Sequence, residues 1–324
     1  MNKQETSRVS EVQCRNSAAV ADTFLDVIIN TTSGAGADEG ARLRVSEIFR
    51  SSGYHARILL AGSGTEVVEL ARRAARGTSM TVVAGGGDGT INAVASELLS
   101  TDKALGVLPL GTFNHFAKDL HIPLDIEEAV RTIIAGHSVR IDTGEVNGRI
   151  FLNNSSLGLY PSIVDQRDKH QRMGYGKWPA FFRAMLTVLR RYPFLHVRLK
   201  AGEQEFEGHT PFVFIGNNEY EMESLNIGRR MCLNGGKLCL YMTHRLGRLG
   251  LLQLALRALF GRLREAEDFI ALCTEEIWVE TRRKYIRVSM DGEVAVMMTP
   301  LRYRIRPGVL RVFVPEDVEQ DLKG

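Results

Sequence analysis

The chain has 324 residues, 44% hydrophobic and 24% charged, with 41 Lys or Arg against 38 Asp or Glu. That length points to two domains, and that composition to globular folding rather than disorder. A net charge of +3 excludes a chain that binds nucleic acid over its whole surface, because such binding needs a broad basic field.

Residues 1–23 are polar and lack the apolar core of a secretory signal, so they read as a tail. No uninterrupted apolar run reaches the ~18 residues of a membrane-spanning helix. Cys14, Cys232, Cys239 and Cys273 show no metal-ligand spacing and are expected as reduced thiols. From Phe24 onward, strands alternate with helices. Strands are expected at 24–30, 55–61, 81–84 and 104–111. Helices are expected up to about Ile48, over 65–77, from Ile91 to Leu99, and over 126–136. This alternation with short loops predicts a mostly parallel, doubly wound sheet. Beyond about residue 138 the runs become short, β-rich and turn-punctuated, which predicts an antiparallel sandwich or barrel. Helical inserts are expected at 178–192 and 246–264. The domains read as 24–138 and 139–315, with the last strand free to return to the first domain and a tail over 316–324.

The strongest local signal is Gly85-Gly86-Gly87-Asp88-Gly89-Thr90, between a β-run and a helix. Glycines let backbone N–H groups approach a phosphate, and the helix that follows turns its positive end to the same place. Asp88 would lie where Mg²⁺ or a reacting hydroxyl is held. A tight strand–helix turn is the plainer alternative. Gly34 to Gly40 resembles GxGxxG with its third glycine one place late, and no GxxxxGK[ST] occurs. A second cluster, LPLGTFN, has Gly111 at a turn, with Thr112 and Asn114 suited either to a ligand or to capping the next helix. Asp291-Gly292-Glu293 taken alone reads as a hairpin turn.

GGGDGT, LPLGTFN and the late Asp291-Gly292-Glu293, in that order over about residues 24–315, resemble the soluble diacylglycerol kinase catalytic family. That family also contains sphingosine, ceramide and bacterial lipid kinases. The resemblance implies an α/β plus β fold. Its first domain is a Rossmann-like domain similar to that of NAD kinase and phosphofructokinase, and its second is an antiparallel β-sandwich with helical inserts. A nucleotide lies between the two domains. It further implies ATP and Mg²⁺ as cofactors and a lipid hydroxyl, of diacylglycerol or a related alcohol, as phosphoryl acceptor. Carried over by residue, Asn30, Ser33 and Gly34 form a first phosphate loop. Gly86, Gly87, Asp88, Gly89, Thr90, Gly111, Thr112 and Asn114 complete the nucleotide site. Asp88 and Asp291 are the expected metal ligands, and Glu293 is the expected general base, with Asp88 as its alternative.

The chain departs from the family pattern at His115, where Asp is common, at Ala93 in place of Glu, and at Asn234-Gly235-Gly236 in place of Asp-Gly. His115 and Ala93 motivate a nucleotide- or lipid-binding regulatory protein with impaired catalysis as one alternative. The GGDGT shared with NAD kinase motivates the other. A lipid kinase without a membrane span meets its substrate at the membrane surface, so the expected location is cytoplasmic with transient membrane association. A lipid is the expected partner, nucleic acid is not, and a homodimer is allowed. Residues 167–191 hold seven Lys or Arg against Asp168, and 245–264 hold five Arg and no acid. Both stretches carry apolar stripes that suit either a bilayer or the protein core. Arg302, Arg304 and Arg306 alternate along a strand and face either an anion or solvent.

Overall fold

FLDVIIN is apolar on both faces, which suits a strand covered from both sides, and Phe24–Asn30 (β1) is buried after its first residue. It pairs in parallel with His55–Ala61 (β2) and Thr81–Gly86 (β3), and β3 pairs in parallel with Ala104–Pro109 (β4), giving the order β2-β1-β3-β4. The computed structural model describes residues 24–33, 39–158, 194–220, 230, 232–243, 269–316 and 318. They fall into two compact units. The first comprises 24–117, 122–138 and 311–315, and the second takes up the remainder.

In the first unit the connections are Glu39–Ser51 (α1), Gly64–Arg76 (α2), Asp88–Leu98 (α3), His115–Asp119 (α4) and Ile126–Ala135 (α5). α2 buries Val67, Ala71 and Ala74, spaced by four and three residues as one helical face requires. Its amino end is closed by Ser63, whose Oγ accepts from Glu66 N, while Glu66 Oε2 accepts from Gly62 N at 2.7 Å. α5 starts on Asp125, which accepts from Glu127 N and Glu128 N, and stops at Gly136, whose φ of 79° suits glycine. The four strands, the four expected helices (α1, α2, α3 and α5) and their order agree with the sequence reading, and α4 is an addition to it. α3, however, begins at Asp88 rather than Ile91. The GDGT run is the helix's first turn, because Gly87 already serves as its cap residue.

The second unit contains Ser138–Val146 (β5), Arg149–Phe151 (β6), Asn154–Gly158 (β7), Leu195–Ala201 (β8), Gln204–Thr210 (β9) and Phe212–Asn217 (β10). It continues with Leu238–Thr243 (β11), Phe269–Thr274 (β12), Glu276–Thr281 (β13), Tyr285–Met290 (β14), Glu293–Met298 (β15) and Leu301–Phe313 (β16). One sheet runs β12-β11-β10-β7-β14-β15 and is antiparallel throughout. The facing layer is built on β9-β8-β13-β16, with β5 and β6 beside it. Leu157, Ile215, Leu240 and Val288 from the first sheet share one core with Val197, Ile277 and Tyr303 from the other, which makes a sandwich. The last residues of β16 leave this pairing, and Arg311 and Val312 run parallel to Ala104 and Leu105 of β4. The helical inserts expected at 178–192 and 246–264 lie outside the described residues.

Two expectations change. Cys239 and Cys273 stand directly opposite each other on β11 and β12 and form a disulfide, so they are not the reduced thiols expected. Cys232 is free. Nor does the arginine row on β16 form an uncommitted basic strip or an exposed edge. Arg302 pairs with Glu276 at 2.7 Å, while Arg304 and Arg306 share Glu145 at 2.6 and 3.6 Å. The hydrogen bond from Arg302 lowers the pKa of the Glu276 carboxyl.

Candidate active site

In an order of β2-β1-β3-β4 the chain direction of successive crossovers reverses between β1 and β3, and the crevice at their carboxyl ends is where open α/β sheets bind ligands. Both glycine motifs and the segment after β1 sit at this end. A Cβ on Gly86 would lie 2.6 Å from Thr90, so the strand reaches the first turn of α3 only with glycine there. Gly87 gives that turn no side-chain cap, which leaves its N–H groups to other acceptors. Thr90 Oγ1 accepts from Asn30 Nδ2 at 3.0 Å and lies 3.4 Å from Ser33 Oγ. Asn30 Oδ1 in turn accepts from Thr32 N and Thr32 Oγ1, at 3.1 and 2.7 Å. The turn after β1 is therefore held to the first turn of α3 by side chains.

The loop after β4 closes on the same place. A Cβ on Gly111 would meet the Cα of Gly87 at 2.4 Å. Asn114 adopts φ 51° and folds back on its own loop. Gly111 N donates to its Oδ1 at 3.1 Å, and its Nδ2 donates to Pro109 O and Gly111 O at 3.1 and 2.9 Å. Asp88 joins the two loops, because its oxygens accept from His115 N at 3.2 Å and Phe116 N at 3.0 Å, the first N–H groups of α4. Thr112 is exposed. Phe113 and His115 stack in parallel, 5.6 Å between ring centres. The site residues expected after β1, β3 and β4 thus meet at one end of the sheet, except Gly34, which lies outside the described residues. A cavity of about 500 Å³ opens elsewhere on this unit. Phe24, Asp26, His55 and Arg57 line it, from the amino-terminal ends of β1 and β2, and it is separate from these loops.

Asp291 and Glu293 belong to the second unit. Asp291 and Gly292 have φ of 48° and 87° and form the two-residue turn of the β14–β15 hairpin, so the plain turn reading is correct as geometry. The Asp291 carboxylate also holds a neighbouring loop. Leu152 N donates to Oδ2 at 2.7 Å, and Asn153 N and Asn154 N donate to Oδ1 at 2.8 and 3.1 Å. Glu293, one residue beyond the turn, is exposed, and its carboxylate makes no hydrogen bond or ion pair among the described residues.

The rest of this network lies outside the expected site residues, because RIFLNNSS carries the pattern of one β-rich run, whereas the strand breaks at Leu152 and Asn153. Asn217 Nδ2 donates to Leu152 O at 2.7 Å, and Tyr220 donates to Asn153 O at 3.0 Å. The buried Arg230 guanidinium donates to Leu152 O and Asn153 Oδ1 and pairs with Asp119 at 2.8 Å. Burial raises the pKa of the Tyr220 phenol. Asp142 gathers Gly236 N, Gly308 N and Asn218 Nδ2. The paired asparagines at 153–154 and 217–218, each at a strand end, were the available signal.

These loops fit a polyphosphate, because two glycines meet at van der Waals distance beside an uncapped helix end. For a cation, Asp88 retains one acceptor site on each oxygen, whereas Asp291 has at most one, on Oδ2. No cluster of three His, Cys, Asp or Glu poised for a metal occurs among the described residues.

The diacylglycerol kinase catalytic domain matches residues 25–146, from β1 through β5. A diacylglycerol kinase from Staphylococcus carnosus (strain TM300) is 32% identical over 48% of this chain and 50% of its own length. One from Staphylococcus saprophyticus is 29% identical over 42% of the chain and 45% of its own length, so the chain spans about half the length of these two relatives. A protein named "Probable lipid kinase YegS-like" from Klebsiella pneumoniae (strain 342) is 27% identical over 88% of this chain and 95% of its own. Likeness of fold extends further. A crystal structure of a diacylglycerol kinase from Bacillus anthracis strain Sterne superposes with a TM-score of 0.69 at 19% identity, covering 92% of this chain and 99% of that one. Within the family's domain lie all the expected nucleotide-site residues, while Asp291 and Glu293 lie beyond it.

Proposed function

We propose that this protein is an ATP- and Mg²⁺-dependent lipid kinase that transfers the γ-phosphate to the hydroxyl of diacylglycerol or a related lipid alcohol. The observation that carries the reading is the close approach of Gly87 and Gly111 beside the uncapped first turn of α3, within residues assigned to the family. Phosphoryl transfer asks mainly for positioning and for neutralisation of charge. The N–H groups at the start of α3 would bind and orient phosphate oxygens, with Thr90 fixed by Asn30. Mg²⁺, when bound, would offset the phosphate charge, and Asp88 is the carboxylate best able to hold it.

Glu293 is the candidate for receiving the acceptor proton, because it is an exposed carboxylate with no competing partner among the described residues. Asp291 positions it by setting the turn that starts β15. The acceptor would be met at a membrane surface, because a long-chain lipid alcohol resides there.

The test is incubation with ATP, Mg²⁺ and a panel of diacylglycerol, monoacylglycerol, sphingoid and prenyl alcohols, with NAD alongside. Transfer to a lipid is expected, cut by at least about a hundredfold in Asp88→Ala and in Glu293→Ala. Phosphorylation of NAD alone would overturn the lipid reading. Nucleotide binding without transfer to any acceptor would favour a regulatory protein.

A further inference from the structure

Among the described residues β15 is the outermost strand of its sheet, and its side chains divide by face. Met297 and Ala295 turn to the core, while Val294, Val296 and Met298 turn away from it and are 41%, 66% and 55% exposed. Such a row is unusual for a free edge, which proteins normally protect with charge or a bulge. Register places Tyr285, 58% exposed, opposite Met298, and Arg287 opposite Val296, so both share the outward face with the apolar row. Residues 281–290 hold Arg282, Arg283, Lys284 and Arg287 and no acid. The basic turn is pinned beside the end of the row, because Thr299 N donates to Lys284 O at 3.0 Å and Thr299 Oγ1 to Arg283 O at 2.9 Å. Lys284 lies over the Tyr285 ring.

We infer that the outward face of the β14–β15 hairpin is the surface by which this protein docks on an anionic bilayer, an inference that rests on the lipid-kinase reading and gives it an orientation. Aliphatic side chains and a tyrosine enter the interfacial layer, and the cations at the adjoining turn meet lipid phosphates. The complementarity is specific to one end of the hairpin. Its cations cluster where Met298 lies, and its carboxylates, Asp291 and Glu293, stand at the other end of the same strands, about 17 Å away at ~3.4 Å per residue. A face that repelled anionic lipid at the basic end would lose this polarity. A second copy of the chain would find cations facing cations there only in a parallel arrangement, so self-association is the competing occupant that the experiment must distinguish.

The full-length protein is mixed with phosphatidylcholine vesicles, with and without phosphatidylserine, and pelleted in the absence of nucleotide. Two double variants accompany it, Val296→Asp with Met298→Asp, and Arg283→Glu with Lys284→Glu. Circular dichroism and thermal unfolding verify that each is folded, which four exposed positions allow. Capture by serine-containing vesicles is expected, weakened by salt, and reduced at least about tenfold in both variants. Phosphorylation of a water-dispersed short-chain diacylglycerol stays at the parent level. Equal capture of parent and variants overturns the inference, and so does equal capture by neutral and anionic vesicles. If the apolar variant loses self-association in sedimentation equilibrium while vesicle capture is unchanged, the face belongs to a second copy. The two readings fail separately. Hairpin-dependent capture without transfer to any lipid sinks the kinase reading alone. Transfer to vesicle lipid that both variants leave intact sinks the docking surface alone.

Discussion

Gly111 has no room for a side chain, since a Cβ there would meet Gly87 Cα at 2.4 Å. Gly111→Ala must push the two loops apart, at a cost of roughly 1–3 kcal/mol in overpacking. The expected result is a lower denaturant midpoint and at least about tenfold weaker ATP binding by calorimetry, with the widened gap disturbing the N–H groups that P–O groups would meet. Asp291 acts through hydrogen bonds to three backbone N–H groups. Asp291→Asn keeps an acceptor and tolerates the positive φ of the turn, so it should cost about 1–2 kcal/mol, whereas Asp291→Ala should cost more and free the 152–154 loop. Hydrogen exchange at Leu152, Asn153 and Asn154 reads this directly. Buried phenols give a pH signature. Burial raises the pKa of Tyr303, whose hydroxyl lies 3.1 Å from Ser155 Oγ, and likewise that of Tyr220, above the ordinary 10.0. A group whose folded pKa is raised contributes fully below its unfolded pKa and loses that contribution as pH rises. Stability to urea should therefore fall above about pH 10, and Tyr303→Phe should flatten the fall while lowering stability slightly near neutral pH.

Among the elements, α3 is tied to the turn after β1 by Asn30 and Thr90. Thr90→Val removes the acceptor but keeps the shape, leaving the buried Asn30 amide without that partner. A loss of about 1–3 kcal/mol is expected, measured by chemical unfolding, together with weaker nucleotide binding. Strand pairing decides the cysteines. Cys239 and Cys273 are 34 residues apart in the chain and opposite each other across β11 and β12. Reduction should lower the unfolding free energy by about 2–4 kcal/mol, and peptide mapping without reductant should recover the two cysteines linked. Elements themselves were largely legible, because FLDVIIN and the Val67, Ala71, Ala74 stripe carry their own periods. The break at Leu152 and Asn153 was not, because it is held by Asp291, Asn217 and Arg230 from remote parts of the chain. Likewise α4 is only five residues long, and its first N–H groups bond to Asp88, 27 or more residues earlier.

Across the whole molecule, the near-neutral total of +3 hides an uneven distribution of charge. Arg302, Arg304 and Arg306 of β16 are paired with Glu276 and Glu145, while the cations at 282–284 stand exposed next to an apolar row. Alternation of strands and helices, the glycine motifs and their order along the chain are local, and the sequence by itself determined them: a parallel α/β half, a β-rich half, and one end of the parallel sheet marked by Gly86, Gly87 and Gly111. Only the tertiary structure decided what each polar residue is used for. It set Asp88 as the link between two loops, Asp291 as the clamp on 152–154, Cys239 and Cys273 as a bonded pair, and Arg302, Arg304 and Arg306 as partners of acids. The reason is physical. Backbone propensity and hydrophobic period act over a few neighbouring residues, whereas a carboxylate, a thiol or a guanidinium takes its role from whichever group packing brings within about 3 Å of it.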